Sequence, residues 1–203
     1  IRLSRSTGSN TGTIAVSVGN ITCSNGTGIY SERTGDITIG TSGGGVSDSS
    51  PTIRGSVKGL ETAGVLKFYD GTIGGASSYT SSNIILETGY GVSHRSETGY
   101  ADVAYLDKSY IIEFYQGNNL ETAGAIKLTE QVQHIGVANN LAAYNGTAPS
   151  GWTFAGWGTA EDSLEIVYLN QQSVNNLVET NGGIVKLYAI FKKNIEFNSG
   201  INK

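Results

Sequence analysis

The sequence predicts an all-β or mixed fold, in which a short right-handed β-solenoid (parallel β-helix-like) is followed by a second, small β domain. Glycine makes up 29 of the 203 residues, only 15% of the residues are charged, and proline occurs twice. This composition favours many turns, while the frequent β-branched and aromatic residues favour strands over disorder. Columns of apolar residues in the first half and long alternating runs in the second half locate the two parts.

The first half contains a repeat that becomes visible when three segments are aligned. They are "TGTIAVSVGNITC" from Thr11, "TGDITIGTS" from Thr34 and "AGVLKFYDGTI" from Ala63. The aligned apolar positions form four columns: Ile14, Ile37 and Leu66; Val16, Ile39 and Phe68; Ile21, Ile53 and Ile73; and Ile29, Leu60 and Tyr79. A unit of roughly 20–30 residues with strand-sized alternation is typical of a solenoid rung. We therefore predict three stacked rungs around a continuous apolar core.

Alternation along a strand assigns each residue of a rung to one face. In the first rung it places Ile14, Val16 and Val18 inside the stack. Ala15 and Ser17 then face the solvent. The same alternation should hold in the later rungs.

Polar segments mark the corners and the end of the stack. "LETAG" at Leu60 is expected to form the corner before the third rung, and "SERTG" at Ser31 the corner before the second. "SSNIILETGYGVSHRSETGYADVAYLD" breaks the register, so we expect it to act as a closing cap of a domain over residues 1–107. A β-sandwich with irregular strands is the alternative, because three units can align by accident in a sequence rich in Gly, Ser and Thr. "GDITIG", "SPTIRG" and "FYDGTIGG" resemble motifs of repetitive β-helical modules in large bacterial surface proteins.

The second half has the pattern of a different domain. "KSYIIEFYQG" reads as a strand with "EQVQHIGVANNL" as its partner, and "GIVKLYAIFK" reads as a second strong strand. In "GWTFAGW", alternation puts Trp152 and Phe154 on one face, and Gly156 can kink the strand so that Trp157 is re-aimed. A shared face is predicted for four residues of the last strand, opposite Tyr188 and Ile190: Val185, Leu187, Ala189 and Phe191.

This order of elements, with "TAPSGWTFAGWGT" before "LYAIFK", resembles the Listeria–Bacteroides repeat, the B-repeat type of internalins. The resemblance covers residues 108–193 and implies a small β-grasp-like domain, so we place a second domain at residues 108–203. It also implies a bacterial protein that is secreted, attached to the cell wall or otherwise exposed on the surface. Phe191 stands where the family usually has Trp, and the segment before the last strand is longer than usual. The second "LETAG", at Leu120, then reflects turn chemistry and chance.

The composition also bears on partners. The net charge is −4, and Lys and Arg are scattered singly, which argues against nucleic acid. No apolar run approaches the ~18 residues of a membrane helix, so we expect no membrane insertion in this segment. Cys23 is the single cysteine, and its alternating position predicts a buried structural thiol. No signal peptide is visible and the first residue is isoleucine, so we expect a processed or trimmed part of a longer chain.

The chemistry-bearing residues do not form a known catalytic or metal-binding pattern. His94 and His134 are the two histidines, and His134 is expected on a strand face. Glycan cleavage needs a pair of carboxylates; the candidates are Asp36, Asp48 and Asp70, with Glu161 in a polar loop. Solvated turn or surface positions explain these residues, and Tyr30, Tyr69 and Tyr79 fit a core or ladder better than a sugar platform. We expect no catalytic, cofactor-binding or metal-binding residues and no cofactor.

The function expected from the sequence is that of a non-catalytic extracellular protein of the bacterial cell surface, serving structural display and adhesion. One alternative is a self-assembling, pilus-like filament subunit. Another is a glycan-binding or glycan-cleaving appendage of a phage or bacterium. The expected partners are other copies of the chain or further repeats of it, together with host or cell-wall glycans. An end-on contact is expected through residues near Ile1, Leu3, Ile14 and Ile21.

Overall fold

A computed structural model describes residues 1–3, 12–32, 34–117 and 126–194. Strands are the only regular elements in these ranges, so the described part of the chain is all-β. Contacts within the chain divide it into two units, Ile1–Lys108 and Ser109–Lys203. Each unit is described by itself.

The first unit consists of short strands that follow one another in sets of three. The first nine are β1 (Arg2–Leu3), β2 (Ile14–Val16), β3 (Asn20–Cys23), β4 (Thr27–Ser31), β5 (Ile37–Ile39), β6 (Thr52–Gly55), β7 (Lys58–Thr62), β8 (Val65–Phe68) and β9 (Thr72–Gly75). Then come β10 (Ser77–Thr80), β11 (Asn83–Leu86), β12 (Tyr90–Glu97) and β13 (Tyr100–Tyr115). We call β1–β3, β4–β6 and β7–β9 the first, second and third triplets.

Each triplet adds one strand to each of three parallel ladders. The ladder orders are β1-β4-β7-β10, β2-β5-β8-β11 and β3-β6-β9. All pairs within them are parallel. Strands at the same place in successive triplets are therefore neighbours, which is the arrangement that the aligned segments predict.

The four predicted columns are confirmed residue by residue. Ile37 pairs with Ile14 on one side and Leu66 on the other. The remaining pairings follow the other three columns in the predicted register: Val16, Ile39 and Phe68; Ile21, Ile53 and Ile73; and Ile29, Leu60 and Tyr79. Side chains of the second and third triplets in these columns have no exposed surface, whereas Ile14 and Ile21 of the first triplet are half-buried. The core is thus complete in the middle of the stack and open towards the first triplet.

Three expectations for single residues are wrong. Val18 is 79% exposed, because β2 ends at Val16 and the alternation ends with it. Leu60 lies inside β7 and is fully buried, so the corner of "LETAG" begins only at Ala63. Cys23 is half-buried, because the first triplet leaves its inward side chains partly uncovered.

The end of the stack also differs from the expectation. Ile84 and Leu86 of β11 continue two of the columns, opposite Leu66 and Phe68. The register therefore persists through Leu86, and the predicted break at the start of this segment is wrong. Two serines and an asparagine before Ile84 hide this continuation in the sequence.

A hairpin of β12 and β13 follows the last parallel strands. β13 pairs antiparallel with β9, placing Ala104 opposite Ile73, and β12 pairs with β13. Tyr90 and Val92 of β12 pack against the core from this end. β13 of the hairpin therefore lies where the next parallel strand of the β3-β6-β9 ladder would lie and ends that ladder, as expected for the predicted cap.

Residues 40–51, which connect β5 and β6, are hydrogen-bonded to the turn between β8 and β9. Asp70 accepts hydrogen bonds from the backbone N–H groups of Ser47 and Gly71, at 2.6 and 2.7 Å. Gly71 has a φ of +82°, and a Cβ there would collide with the carbonyl oxygen of Pro51. Only glycine fits this position without strain.

The second unit contains one four-stranded sheet and one small ladder. Its strands are the last part of β13, then β14 (Lys127–His134), β15 (Asn139–Asn140), β16 (Trp152–Gly158), β17 (Ser173–Val174) and β18 (Ile184–Lys193). The sheet order is β14-β13-β18-β16, in which β13 and β18 are parallel and the outer strands are antiparallel to their neighbours. β15 and β17 form the small ladder.

One face of this sheet carries the core of the second unit. The predicted inner face of β18 is confirmed, since Val185, Leu187, Ala189 and Phe191 all belong to that core. The register of β16 shifts between Phe154 and Gly156, and Trp157 becomes 1% exposed. The predicted kink is thereby confirmed.

Ile190 lies on the other face of β18, as predicted, and is also buried, close to Gly158. One expectation for the second unit needs correction. The first strand begins at Tyr100, before the predicted "KSYIIEFYQG". The second "LETAG" lies outside the described residues.

Candidate functional site

Four charged side chains form a chain of ion pairs on the outer surface of the first unit. Arg54 of β6 contacts Glu97 of β12 at 2.9 Å, and Glu97 contacts Arg95 of the same strand at 2.8 Å. Arg95 reaches Asp48 in the connection between β5 and β6 at 2.6 Å. These residues come from three separate segments, so the ion pairs join the β12–β13 hairpin and the connection between β5 and β6 to the stack.

The same arginines lie over aromatic rings of β13. The guanidinium of Arg95 is 4.6 Å from the ring centre of Tyr105, and that of Arg54 is 5.3 Å from the ring centre of Tyr100. Cation–π attraction adds to the ion pairs at such distances. Each arginine is therefore held in place by both a carboxylate and a ring.

The ion pairs hold the carboxylates in their charged form. Hydrogen bonds from Arg95 lower the pKa of Glu97 more than its partial burial raises it, and Arg54 adds to the lowering. The hydrogen bond from Arg95 likewise keeps the pKa of Asp48 below its usual value. Both groups are ionised at neutral pH, which suits binding and structural roles.

His94 belongs to a second polar cluster. Its Nδ1 lies 2.6 Å from Oδ1 of Asp102, whose other oxygen accepts a hydrogen bond from the backbone N–H of Ser78 at 2.8 Å. Tyr79 stacks on the His94 ring at 6.5 Å. Burial raises the pKa of Asp102, but the hydrogen bonds from Ser78 and His94 outweigh it and the pKa is lowered. The cluster links β10 to the hairpin.

The three candidate carboxylates of the sequence have different partners. Asp36 forms an ion pair with Lys67 at 2.7 Å, Asp48 binds Arg95, and Asp70 binds backbone N–H groups of a turn. Each of these contacts joins neighbouring parts of the stack. The structure therefore gives each carboxylate its own structural partner.

We call the ion-paired residues Arg54, Glu97, Arg95 and Asp48 the charge chain. A groove of about 310 Å³ lies beside it. Its lining includes Tyr90, Tyr105, Asp48, Asp107 and Lys108. Flat aromatic rings next to charged hydrogen-bonding groups suit a polar ligand with apolar faces, and sugars have both kinds of surface. The groove therefore suits such a ligand, and two carboxylates, Asp48 and Asp107, lie in its lining.

The remaining candidate residues are scattered. Tyr30 and Glu61 line a separate open cavity of about 570 Å³ next to Ile1 and Cys23. Tyr69 and Glu161 are half-buried. The sequence did not identify Arg54, Arg95, Glu97 or Tyr105 as candidate site residues. Their partners lie far away in the sequence, and no short motif marks them.

The described residues contain no group of three or more His, Cys, Asp or Glu side chains placed to hold a metal ion. Within the same ranges, no helix has the length and apolar character needed to cross a bilayer. Comparison of the chain with protein-family models, curated proteins and solved structures gave no match.

Proposed function

We propose that this chain is a non-catalytic structural display and adhesion module of the extracellular bacterial surface. In this proposal the first unit is a short right-handed β-solenoid and the second is a β-grasp-like domain that resembles the Listeria–Bacteroides repeat. The observation that carries the proposal is the set of three parallel ladders with their apolar columns in register. In this proposal the stack serves as a spacer, because every layer is hydrogen-bonded to the next.

Two features support the proposed folds. Consecutive strands enter the three ladders in rotation, as the rungs of a solenoid do, and right-handed connections are the rule between parallel strands. In the second unit, the first and last strands of the sheet are parallel neighbours at its centre. That order supports a β-grasp-like domain, although the described residues of this unit contain no helix.

The groove beside Tyr90 and Tyr105 is the proposed adhesive site, with a saccharide as its ligand. A sugar ring can stack on a tyrosine, and its hydroxyl groups can bond to Asp107 and Lys108. Asp48 is held ionised by Arg95, as its lowered pKa indicates. An ionised carboxylate can accept hydrogen bonds from sugar hydroxyls, which supports saccharide binding in this groove.

The test is binding of the labelled full chain to an array of host and bacterial cell-wall glycans. We expect binding to a subset of them, and we expect Tyr105→Ser to weaken that binding at least tenfold. Tyr69→Ser is the matched control, since Tyr69 is a half-buried tyrosine of the same unit outside the groove lining. Equal binding by both variants would refute the groove as the adhesive site, and release of reducing sugar would favour the glycan-cleaving alternative.

A second candidate function, the self-assembling filament, is favoured by the open end of the stack. Ile14 and Ile21 are half-buried where their partners in the next triplets are fully buried. An edge of parallel strands with an incomplete core can accept a further layer, either from the same chain or from another copy. Light scattering of the chain with and without Ile1–Asn20 tests this contact. A parent that stays monomeric at high concentration would argue against it.

A further inference from the structure

The outer face of the sheet in the second unit has an ordered pattern of its own. The core lies on the other side, against Tyr110, Ile112 and Phe114. Alternation therefore turns the other residues of β13 outward. We define the outer face as three side chains on each of three strands: Ile111, Glu113 and Tyr115 on β13; Val132, Glu130 and Lys127 on β14; and Ile184, Lys186 and Tyr188 on β18.

Strand pairing arranges these nine residues in three rows. The first row is apolar, with Ile111 flanked by Val132 and Ile184. The second row places Glu130 on β14, Glu113 in the centre and Lys186 on β18. The third row places Lys127 on β14, Tyr115 in the centre and Tyr188 on β18.

Contacts within the face hold its polar groups in place. Lys127 forms ion pairs with Glu113 and Glu130, at 2.8 and 2.7 Å. The Tyr115 hydroxyl donates a hydrogen bond to Glu113 at 2.9 Å, and the ring of Tyr115 stacks on Tyr188 at 5.3 Å. The polar groups of the face are thus preorganised.

Two of the three apolar residues in the first row are exposed, and the third, Ile111, is half-buried between them. Ile184 is 56% and Val132 is 52% exposed, and both are direct neighbours of Ile111. Contiguous exposed apolar side chains of this kind mark interaction surfaces more often than single ones do.

The charges of the face favour a second copy of the same chain as its partner. Two carboxylates and two ammonium groups make the face neutral, so two copies do not repel each other there despite the net charge of −4. A two-fold axis parallel to β13 would exchange the positions of β14 and β18. Glu130 of each copy would then lie opposite Lys186 of the other, and Val132 opposite Ile184.

The third row is complementary under the same axis. Lys127 of one copy would lie over the ring of Tyr188 of the other, where a cation–π contact can form. Glu113 lies on the axis and would face its own copy. Its charge is already compensated by Lys127 and the Tyr115 hydroxyl, and its side chain is only 15% exposed.

We propose that the outer face forms a two-fold symmetric, face-to-face dimer of this chain. Such a contact is isologous, because the same surface serves both partners. Three strands about 4.8 Å apart and five residues of about 3.3 Å each give a patch of only about 14 by 16 Å. Two such patches give about 450 Å², which is below the roughly 1,200 Å² at which stable interfaces begin, so the dimer forms only at high local concentration.

The test is sedimentation equilibrium of the full chain and of two charge reversals, Glu130→Lys and Lys186→Glu. Each single variant places like charges opposite each other and should weaken self-association at least tenfold. An equimolar mixture of the two variants restores both ion pairs between unlike copies. We therefore expect the mixture to associate at least as well as the parent, whereas neither variant does so alone.

Thermal melts of each variant show whether it is folded, and rescue in the mixture cannot come from the stability of either monomer. Ile184→Lys should also abolish association, while Leu164→Lys is the matched control on an exposed leucine outside the face. A parent chain that stays monomeric at concentrations up to about 1 mM would overturn the proposal, because a dimer with a larger dissociation constant is too weak to matter here. So would a mixture that does not associate. Association that persists in Ile184→Lys and disappears on removal of Ile1–Asn20 would assign the contact to the end of the stack instead.

Discussion

Substituting Ile37 with aspartate should unfold the first unit. Ile37 has no exposed surface and sits in the middle of a column, between Ile14 and Leu66. An aspartate at this position would place a carboxylate in the centre of the apolar core. None of the column neighbours can donate a hydrogen bond to it.

The expected loss of stability is comparable to the whole stability of a domain. Burial of an isoleucine side chain contributes about 1.5–3 kcal/mol. A neutral polar group buried without a hydrogen bond costs about 2–7 kcal/mol more, and an ionised carboxylate costs more still. Together these terms are comparable to the about 5–15 kcal/mol that stabilises a whole domain. Ile37→Asp should therefore abolish the cooperative unfolding transition of the first unit at neutral pH.

The assay is hydrogen exchange followed by mass spectrometry, because peptides report on each unit of the full chain separately. Peptides from β5 and β8 should lose protection in Ile37→Asp, and those from β18 should keep it. Ile37→Val is the size control and should cost only about 0.5–1.5 kcal/mol. Thr38→Asp is the charge control, since Thr38 is a half-buried residue of the same strand outside the core cluster. Parent-like protection of β5 in Ile37→Asp would refute the column as a structural unit.

Three further predictions concern the second unit, the charge chain and one turn. Lys108–Lys193 expressed alone should melt cooperatively, and a broad, non-cooperative transition would contradict an independently folding domain. Arg95→Ala should lower the melting temperature at pH 7, because carboxylates with depressed pKa values stabilise the fold above their unfolded pKa of about 4. That stabilisation is lost as the pH falls, so the difference in melting temperature between Arg95→Ala and the parent should be smaller at about pH 3 than at pH 7. A difference that does not depend on pH would contradict the ion pairs as its cause. Gly71→Ala should be more destabilising than Gly43→Ala, since both have positive φ but only Gly71 faces a backbone carbonyl within collision distance; equal melting temperatures would contradict this.

The sequence could predict the columns because they depend on the local alternation within each short apolar run, although successive runs are 23 and 29 residues apart. Ile14, Ile37 and Leu66 each sit in a short apolar run with a glycine close by, so the three runs can be aligned. Ile84 and Leu86 continue the same columns but were missed, because their run follows polar residues and precedes a different element. Val18 was misplaced because alternation gives the face of a residue but not the end of the strand.

The charge chain could not be predicted in the same way. Arg54 and Glu97 are 43 residues apart, and Arg95 and Asp48 are 47 residues apart. Their contact depends on where the hairpin packs and on how the connection between β5 and β6 is held down. Neither property has a local signature, since scattered single charges look the same on any surface. The groove beside Tyr105 follows from the same long-range packing and was missed for the same reason.

Arg95 of the first unit and Lys186 of the second serve different purposes in these proposals, and this difference can be measured. In the first unit, Arg54 and Arg95 have their partners within the unit, so these charges stabilise the fold itself. In the second unit, Lys186 lies over the ring of Tyr115 at 5.8 Å, and in the proposed dimer its carboxylate partner comes from the other copy. Removing Arg95 should therefore lower the melting temperature and leave self-association unchanged. Reversing Lys186 should weaken self-association with only a small change in the melting temperature, because exposed charges contribute little to stability.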